Sequence, residues 1–296
     1  MKVGFIGFGE VGFEMSQGLL GDGVKEIFAF DPLYDRDFVK ERAKVAGVNL
    51  VTSPELVLQS EVDVVIVAVP AHHAKNAWEN IYKYLNDTIL CIDVSTASAN
   101  EKTEIYESTL GENKKFVDAA LMGPLSVHKH RVPIIASGNG VDDFIELMSP
   151  YNMNIEKVSE IPGDATNIKF TRSIFMKGIS ALLSEVLEVA EKLNIGDRVL
   201  SSISKTMDEK PFEQIINRLI TGTAIHSGRR VVEMENVIQL LEENNKEPIM
   251  TLATKEKLIA ITEHGLREKF NNKTPDNWKQ VIEEMNKKEI ETNKSV

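Results

Sequence analysis

Close to the N-terminus an apolar run, Lys2-Val3-Gly4-Phe5-Ile6, leads straight into Gly7-Phe8-Gly9-Glu10-Val11-Gly12 and then into an amphipathic helical pattern. Three glycines at this spacing, between a strand pattern and a helix pattern, leave few architectures open. The first permits a tight turn, the second lets a pyrophosphate approach the backbone, and the third lets helix and strand pack closely. The start of the helix then offers N–H groups with no intrahelical acceptor to a phosphate. Residues Gly7, Phe8, Gly9, Glu10, Val11 and Gly12 are therefore read as a dinucleotide cradle.

The rest of the first half agrees with that start. Short apolar runs at Ile27–Phe30, Val62–Val69, Ile89–Asp93, Phe116–Val117 and Pro133–Ser137 alternate with helical patterns. Strands separated by helices imply βαβ crossovers and a mostly parallel sheet covered on both faces. Val64-Val65-Ile66-Val67-Ala68-Val69 has no polar alternation, as a central strand buried on both sides requires, and it ends at Pro70. The expected fold class is α/β, a Rossmann doubly wound parallel sheet, over residues 1–161. From Gly163-Asp164 onward strand signals stop. With Asp164 as N-cap, one helix of about 30 residues and about 45 Å runs to Leu193. Further helices are expected at Val199–Met207, Phe212–Thr221, Arg229–Glu243, Ile249–Glu263 and Asp276–Asn286, with fraying from Lys287. Residues 162–296 thus read as an all-helical C-terminal domain.

Composition narrows the function classes. The chain has 296 residues, 42% of them hydrophobic, enough for two cores. Its net charge of −11, with no long basic stretch, argues against nucleic acid as the partner, so an anionic substrate needs a local basic pocket. The single cysteine, Cys91, lies in an apolar strand pattern and allows no disulfide within one chain. No segment reaches the roughly 20 apolar residues of a membrane span, and no secretory leader is legible. A cytoplasmic protein is expected.

Asp31 ends the second strand pattern, 19 residues after Gly12. A carboxylate there accepts hydrogen bonds from ribose hydroxyls and repels a 2′-phosphate, which favours NAD over NADP, although Arg36 stands nearby as a guanidinium able to take a phosphate. Its alternative role is to start the turn Asp31-Pro32. Ser95 and Thr96 follow the strand ending at Asp93, at the edge where ligands collect in open sheets; either could instead cap the next helix. On a helix, residues 169, 172, 173 and 177 share one broad face, so Lys169, Arg172, Ser173 and Lys177 either form a cationic patch for an anionic substrate or leave only Lys169 pointing inward. Arg229 or Arg230 could grip a carboxylate and His226 could hydrogen-bond a hydroxyl, or the arginines could simply form a surface salt bridge with Glu233. His128-Lys129-His130-Arg131 lacks a third ligand for a metal and reads as solvated, and no metal is expected.

The glycine turn, Val69-Pro70, Asp93-Val94-Ser95-Thr96, Asp118-Ala119-Ala120-Leu121-Met122-Gly123-Pro124 and the helix with Lys169 together resemble the β-hydroxyacid dehydrogenase superfamily over nearly the whole chain. The phrases Gly163-Asp164-Ala165-Thr166-Asn167-Ile168-Lys169-Phe170, Met176-Lys177-Gly178 and His226-Ser227-Gly228-Arg229-Arg230 are similar to its 6-phosphogluconate dehydrogenase-like proteins with a C-terminal domain of unassigned function. The resemblance implies a hydride transfer between NAD and the secondary alcohol of a small hydroxy acid, with Lys169 as general acid/base. It also implies Thr96 beside the nicotinamide ribose, Val69 and Pro70 across from it, Met122 and Gly123 at the substrate, and a homodimer whose partner's C-terminal region closes the site. Two departures stand out. The superfamily's usual asparagine one turn after the lysine is replaced by Arg172 and Ser173, and its usual Ser-Gly-Gly by Met122-Gly123-Pro124, where the hydroxyl is lost and Pro124 has no N–H. An imine or ketimine reductase and a non-catalytic NAD-sensing module are the alternative readings.

Overall fold

A computed structural model describes residues 1–111 and 113–293. Two compact units emerge, Met1–Ile174 and Phe175–Val296, and the division falls inside one long helix.

In the first unit an eight-stranded sheet is built from β1 (Lys2–Ile6), β2 (Glu26–Phe30), β3 (Asn49–Leu50), β4 (Val64–Val67), β5 (Leu90–Asp93), β6 (Phe116–Leu121), β7 (Ile134–Ser137) and β8 (Ile155–Ser159). Their order is β3-β2-β1-β4-β5-β6-β7-β8. All pairs are parallel except β6 with β7. Chain order reverses between β1 and β4, and that reversal opens the crevice where ligands of such sheets bind, beyond the carboxyl ends of the strands.

The crossovers are α1 (Glu10–Gly21), α2 (Asp37–Ala46), α3 (Pro54–Gln59), α4 (Ala74–Ile81) and α5 (Ala99–Glu104), followed by α6 (Leu125–His128) and α7 (Val141–Met148). Every residue of β4 is buried, and alternate ones join different cores. Val64 and Ile66 pack with Met15 and Leu19 of α1, Val39 of α2 and Phe144 of α7. Val65 and Val67 pack with Val57 of α3, Trp78 and Ile81 of α4, Cys91 and Phe116. A strand with two buried faces has no use for polar alternation, which is why this one reads as an unbroken apolar run. The doubly wound sheet expected from the sequence is present.

Three features differ from expectation. Strands β3 and β8 carry no apolar run: one is two residues long, and the other, Ile-Glu-Lys-Val-Ser, lies at the sheet's edge with none of its residues buried. The expected cap Asp164 is instead the first residue of α8 (Asp164–Lys192), and the Ala165 and Thr166 N–H groups of its first turn are taken by Ser137 and Asp118 of the sheet. His130, expected to be solvated, is buried, with Nε2 2.8 Å from Asp22 Oδ2 and 2.9 Å from the Tyr151 carbonyl.

Beyond α8 the second unit is helical: α9 (Gly196–Met207), α10 (Phe212–Glu243), α11 (Ile249–Glu263), α12 (Leu266–Lys269) and α13 (Trp278–Asn293). Among the described residues none of its helices is long and apolar enough to cross a membrane. The break expected between Thr221 and Arg229 is absent. Gly222 and Gly228 sit inside α10, where a glycine costs about 1 kcal/mol but does not end a helix whose tertiary contacts outweigh it. α13 also continues past Asn286, into the segment expected to fray.

Candidate functional site

The glycine turn follows β1 at the point of reversal. Gly7 has φ +93°, donates to the Phe30 carbonyl at 2.8 Å, and would place a Cβ 2.5 Å from the Ala68 carbonyl oxygen. No L side chain fits there. A Cβ on Gly12 would lie 2.7 Å from the Gly7 carbonyl oxygen, whereas one on Gly9 would meet nothing within 4 Å. Two glycines therefore serve packing, and the third faces open space. No side chain caps the α1 N-terminus beside it. Phe8 is buried, Val11 half-buried and Glu10 exposed.

Asp31 stands at the end of β2, half-buried. Its Oδ2 accepts from the Phe8 N–H and its Oδ1 from the Leu33 N–H, each at 2.9 Å. Each oxygen keeps a lone pair for a further donor. The side chain thus ties the glycine turn to the end of β2 while remaining on the wall of a cavity of about 590 Å³. Ile6, Gly7, Gly9, Phe30, Ala68, Val69 and Pro70 share that wall. Glycine turn, Asp31 and Val69-Pro70, far apart in sequence, are thereby brought together.

Sequence reasoning missed other residues here. His73, Asn76, Ala77 and Asn80 line the cavity along one face of α4 and the turn before it, and their spacing of three and four residues was the available signal. Leu33 and Pro54 complete the wall. Arg42 of α2 donates to the Phe8 carbonyl at 3.1 Å and lies over the Phe13 ring. Arg36, in contrast, is not part of the wall; it lies 4.0 Å from Asp35 with two-thirds of its side chain exposed.

Thr96 is exposed in the turn after β5. The cap of α5 is neither Ser95 nor Thr96 but Ser98, whose hydroxyl accepts from the Glu101 N–H at 3.3 Å. Ser95 is buried and accepts from the Ala97 N–H. Met122 and Gly123 follow β6; Met122 is half-buried and donates its N–H to the Pro133 carbonyl, and Gly123 is exposed. On α8, Lys169 and Ser173 are half-buried and Arg172 and Lys177 exposed. In the second unit His226, Arg229 and Arg230 lie in the interior of α10 rather than near its start. Arg229 meets Glu233 at 3.3 Å and Arg230 hydrogen-bonds the Thr223 hydroxyl, so both arginines have partners within their own helix.

A buried ionic group that sequence reasoning passed over lies where the last residue of β5, Asp93, pairs with Asp118 in the middle of β6. Asp93, Lys102 and Asp118 are each 0% exposed. Lys102 Nζ is 2.7 Å from Asp93 Oδ1 and 3.3 Å from Asp118 Oδ1. Burial alone would push the Asp93 carboxyl up, but the Lys102 charge and hydrogen bonds from Lys102, Ser95 and Trp78 outweigh it and hold it below the usual carboxylate range. The signal was present in the sequence: two aspartates at strand positions that are otherwise apolar need a buried cation. Among the described residues no cluster suited to a metal ion is found.

Comparison with known proteins adds to this geometry. Residues 2–97 match the family model described as NADP oxidoreductase, coenzyme F420-dependent, and residues 190–261 match a domain of unknown function, DUF1932. The chain is 29% identical over 263 residues to an uncharacterised 28.5 kDa protein in the 7S RNA 5′ region of Methanothermus fervidus, covering 89% of this chain and 100% of that one. A solved conserved protein of unknown function, described as structurally similar to 3-hydroxyacid dehydrogenases, is 32% identical with a TM-score of 0.60, covering 88% of this chain and 98% of its own. An imine reductase of Streptomyces aurantiacus superposes with a TM-score of 0.72 at 16% identity, over 96% of this chain and 99% of that one, a likeness of fold.

Proposed function

Since this chain belongs to the β-hydroxyacid dehydrogenase superfamily, among its 6-phosphogluconate dehydrogenase-like proteins, we propose that it transfers a hydride between NAD and the secondary alcohol of a small hydroxy acid. The observation that carries the reading is the cavity beyond β1 and β4, with Gly9 open to a ligand and the Asp31 carboxylate on its wall. That wall fits the adenosine and pyrophosphate of a dinucleotide. NAD is preferred over NADP because the wall carries a carboxylate and neither Lys nor Arg, so a 2′-phosphate would meet repulsion without compensation. Bound there, the cofactor supplies the hydride acceptor or donor.

The remaining chemistry belongs to the chain. Oxidation of a secondary alcohol has to remove the hydroxyl proton as hydride leaves carbon, and Lys169 Nζ is proposed to take it and to return it in reduction. Thr96 positions the nicotinamide side, with Val69 and Pro70 opposite. The Gly123 N–H and the Met122 side chain meet the substrate, and Arg172, Ser173 and Lys177 favour an anion. His226, Arg229 and Arg230 are proposed as a second anion-binding set, for which Arg229 would exchange Glu233 for a substrate carboxylate.

A homodimer is part of the proposal. The second unit's buried apolar cluster of Ala224, Leu266 and Val281 is small, while Phe175, Leu200, Phe212, Leu219 and Trp278 stay exposed. A second copy of the chain would remove such surface from water. A reducing cytoplasm suits the buried, unpaired Cys91.

The changed residues at Met122-Gly123-Pro124 and Arg172-Ser173 keep an imine reductase as the second reading. A panel of 2- and 3-hydroxy acids, phosphorylated and not, run beside cyclic imines with NAD(H) and NADP(H), separates the two. Turnover of a hydroxy acid is expected. Turnover of imines alone would replace the proposal with the second reading. Tight NADH binding without turnover of any member would point to a sensor.

A further inference from the structure

The buried group of Asp93, Lys102 and Asp118 has a connectivity that packing does not require. Asp93 reaches in one direction: its Oδ1 accepts the Ser95 N–H at 2.8 Å and its Oδ2 the Trp78 indole N–H at 2.7 Å. Ser95 in turn accepts from Ala97, so the turn that carries Thr96 is pinned on both sides. Asp118 reaches in the other direction: it accepts the Thr166 N–H at 2.9 Å and the Thr166 hydroxyl at 2.8 Å. Ser137 takes the neighbouring Ala165 N–H at 3.0 Å. The first turn of α8 is thus capped from the sheet, and Lys169 follows Thr166 by three residues, less than one helical turn. Lys102 joins the two arms, with Nζ on Asp93 Oδ1, on the Asp93 carbonyl at 3.1 Å, and on Asp118 Oδ1.

Burying one cation with two carboxylates costs desolvation energy that apolar side chains of the same volume would not incur, so stability alone does not account for the group. Its closed set of ion pairs and hydrogen bonds, by contrast, fixes a single arrangement, because any shift of either arm strands a buried charge. We propose that Lys102 is a positioning residue, whose ammonium, shared between Asp93 and Asp118, holds the Thr96 turn and the first turn of α8, which leads directly into Lys169, in one fixed register. The inference rests on the proposed function, since it sets where the hydride side and the proton side of that reaction stand. Thr166 is the last link on the proton side.

The test uses the full chain and two kinds of readout. Amide hydrogen exchange at residues 94–98 and 164–170 needs neither cofactor nor substrate; turnover uses whichever hydroxy acid the panel identifies. Lys102→Met is expected to speed exchange about tenfold or more in both segments. Thr166→Val removes one hydroxyl bond and no charge, so it folds even where Lys102→Met does not. It is expected to speed exchange at 164–170 by about tenfold, the scale of one lost hydrogen bond. It should leave 94–98 and NADH affinity within about twofold, and lower kcat by about tenfold at constant KM. Thr166→Ser should restore both readouts, and in a Lys169→Ala background Thr166→Val should lower kcat no further. Unchanged exchange at either segment in folded Lys102→Met overturns the proposal. So does unchanged kcat in Thr166→Val, or an additive loss in the double variant. Wild-type turnover in Lys169→Ala overturns the acid/base reading itself, and is told apart because the exchange changes would persist.

Discussion

Lys169 carries the chemistry of the account, and its removal is the sharpest residue-level test. Loss of a general acid/base typically lowers kcat by about 10²–10⁴. Lys169→Ala should fall in that range on the panel substrate while NADH affinity, measured by fluorescence titration, changes by less than about threefold. A similar loss in affinity would make Lys169 a cofactor ligand instead. Cys91 is the opposite kind of residue. Burial pushes its thiol up to about 12, so almost no thiolate exists near neutrality. The native protein should resist iodoacetamide at pH 8 and become labelled only in denaturant; labelling of the native form would mean that the strand opens. Part of this scale was legible: the tight turn at Gly7 and the close packing at Gly12 follow from chain order, and a Cβ at either position would meet backbone. Lys102 was not, since its partners lie 9 and 16 residues away in sequence and only the sheet brings them together.

Within elements, the same substitution has opposite consequences according to what surrounds it. Gly12 and Gly21 are both in α1. A Cβ on Gly21 meets nothing within 4 Å, so Gly21→Ala should raise stability by about 0.5–1 kcal/mol through the unfolded chain's lost freedom. Gly12→Ala forces a Cβ against the Gly7 carbonyl and should destabilise by about 1–3 kcal/mol. Urea titration of both variants checks the pair; stabilisation by Gly12→Ala would remove the close-packing account of the glycine turn. Element type was legible wherever burial leaves a continuous apolar run, as in β1, β4 and β5. It failed where burial does not set the pattern: in the edge strand β8, in two-residue β3, and in α10, where two glycines look like a break but lie in a helix held by its neighbours. The capping of α8 by Asp118 and Ser137 was out of reach for the same reason, because a cap supplied from 28 or 48 residues away leaves no local signature.

For the whole molecule, the expectations concern charge and assembly. Asp93 titrates below its unfolded value near 3.9, so the unfolded chain binds this proton first as pH falls. The stability it contributes is present above about pH 4 and is lost as pH drops through the folded value. Acid titration followed by tryptophan fluorescence should show unfolding that begins below about pH 4. In Asp93→Asn, if folded, the neutral-pH stability should be lower and its dependence on acid flatter; an unchanged acid limb would mean that other carboxylates govern the transition. Sedimentation should give a dimer at micromolar concentration, and a monomer there would remove the second copy from the proposal. The central claim, a dinucleotide held by the glycine turn and Asp31, is tested most directly by titrating the protein with NADH and with NADPH and following cofactor fluorescence. Saturable NADH binding at least about tenfold tighter than NADPH binding is expected, a gap of about 1.4 kcal/mol that Asp31→Ala narrows. Failure of both cofactors to bind would contradict it.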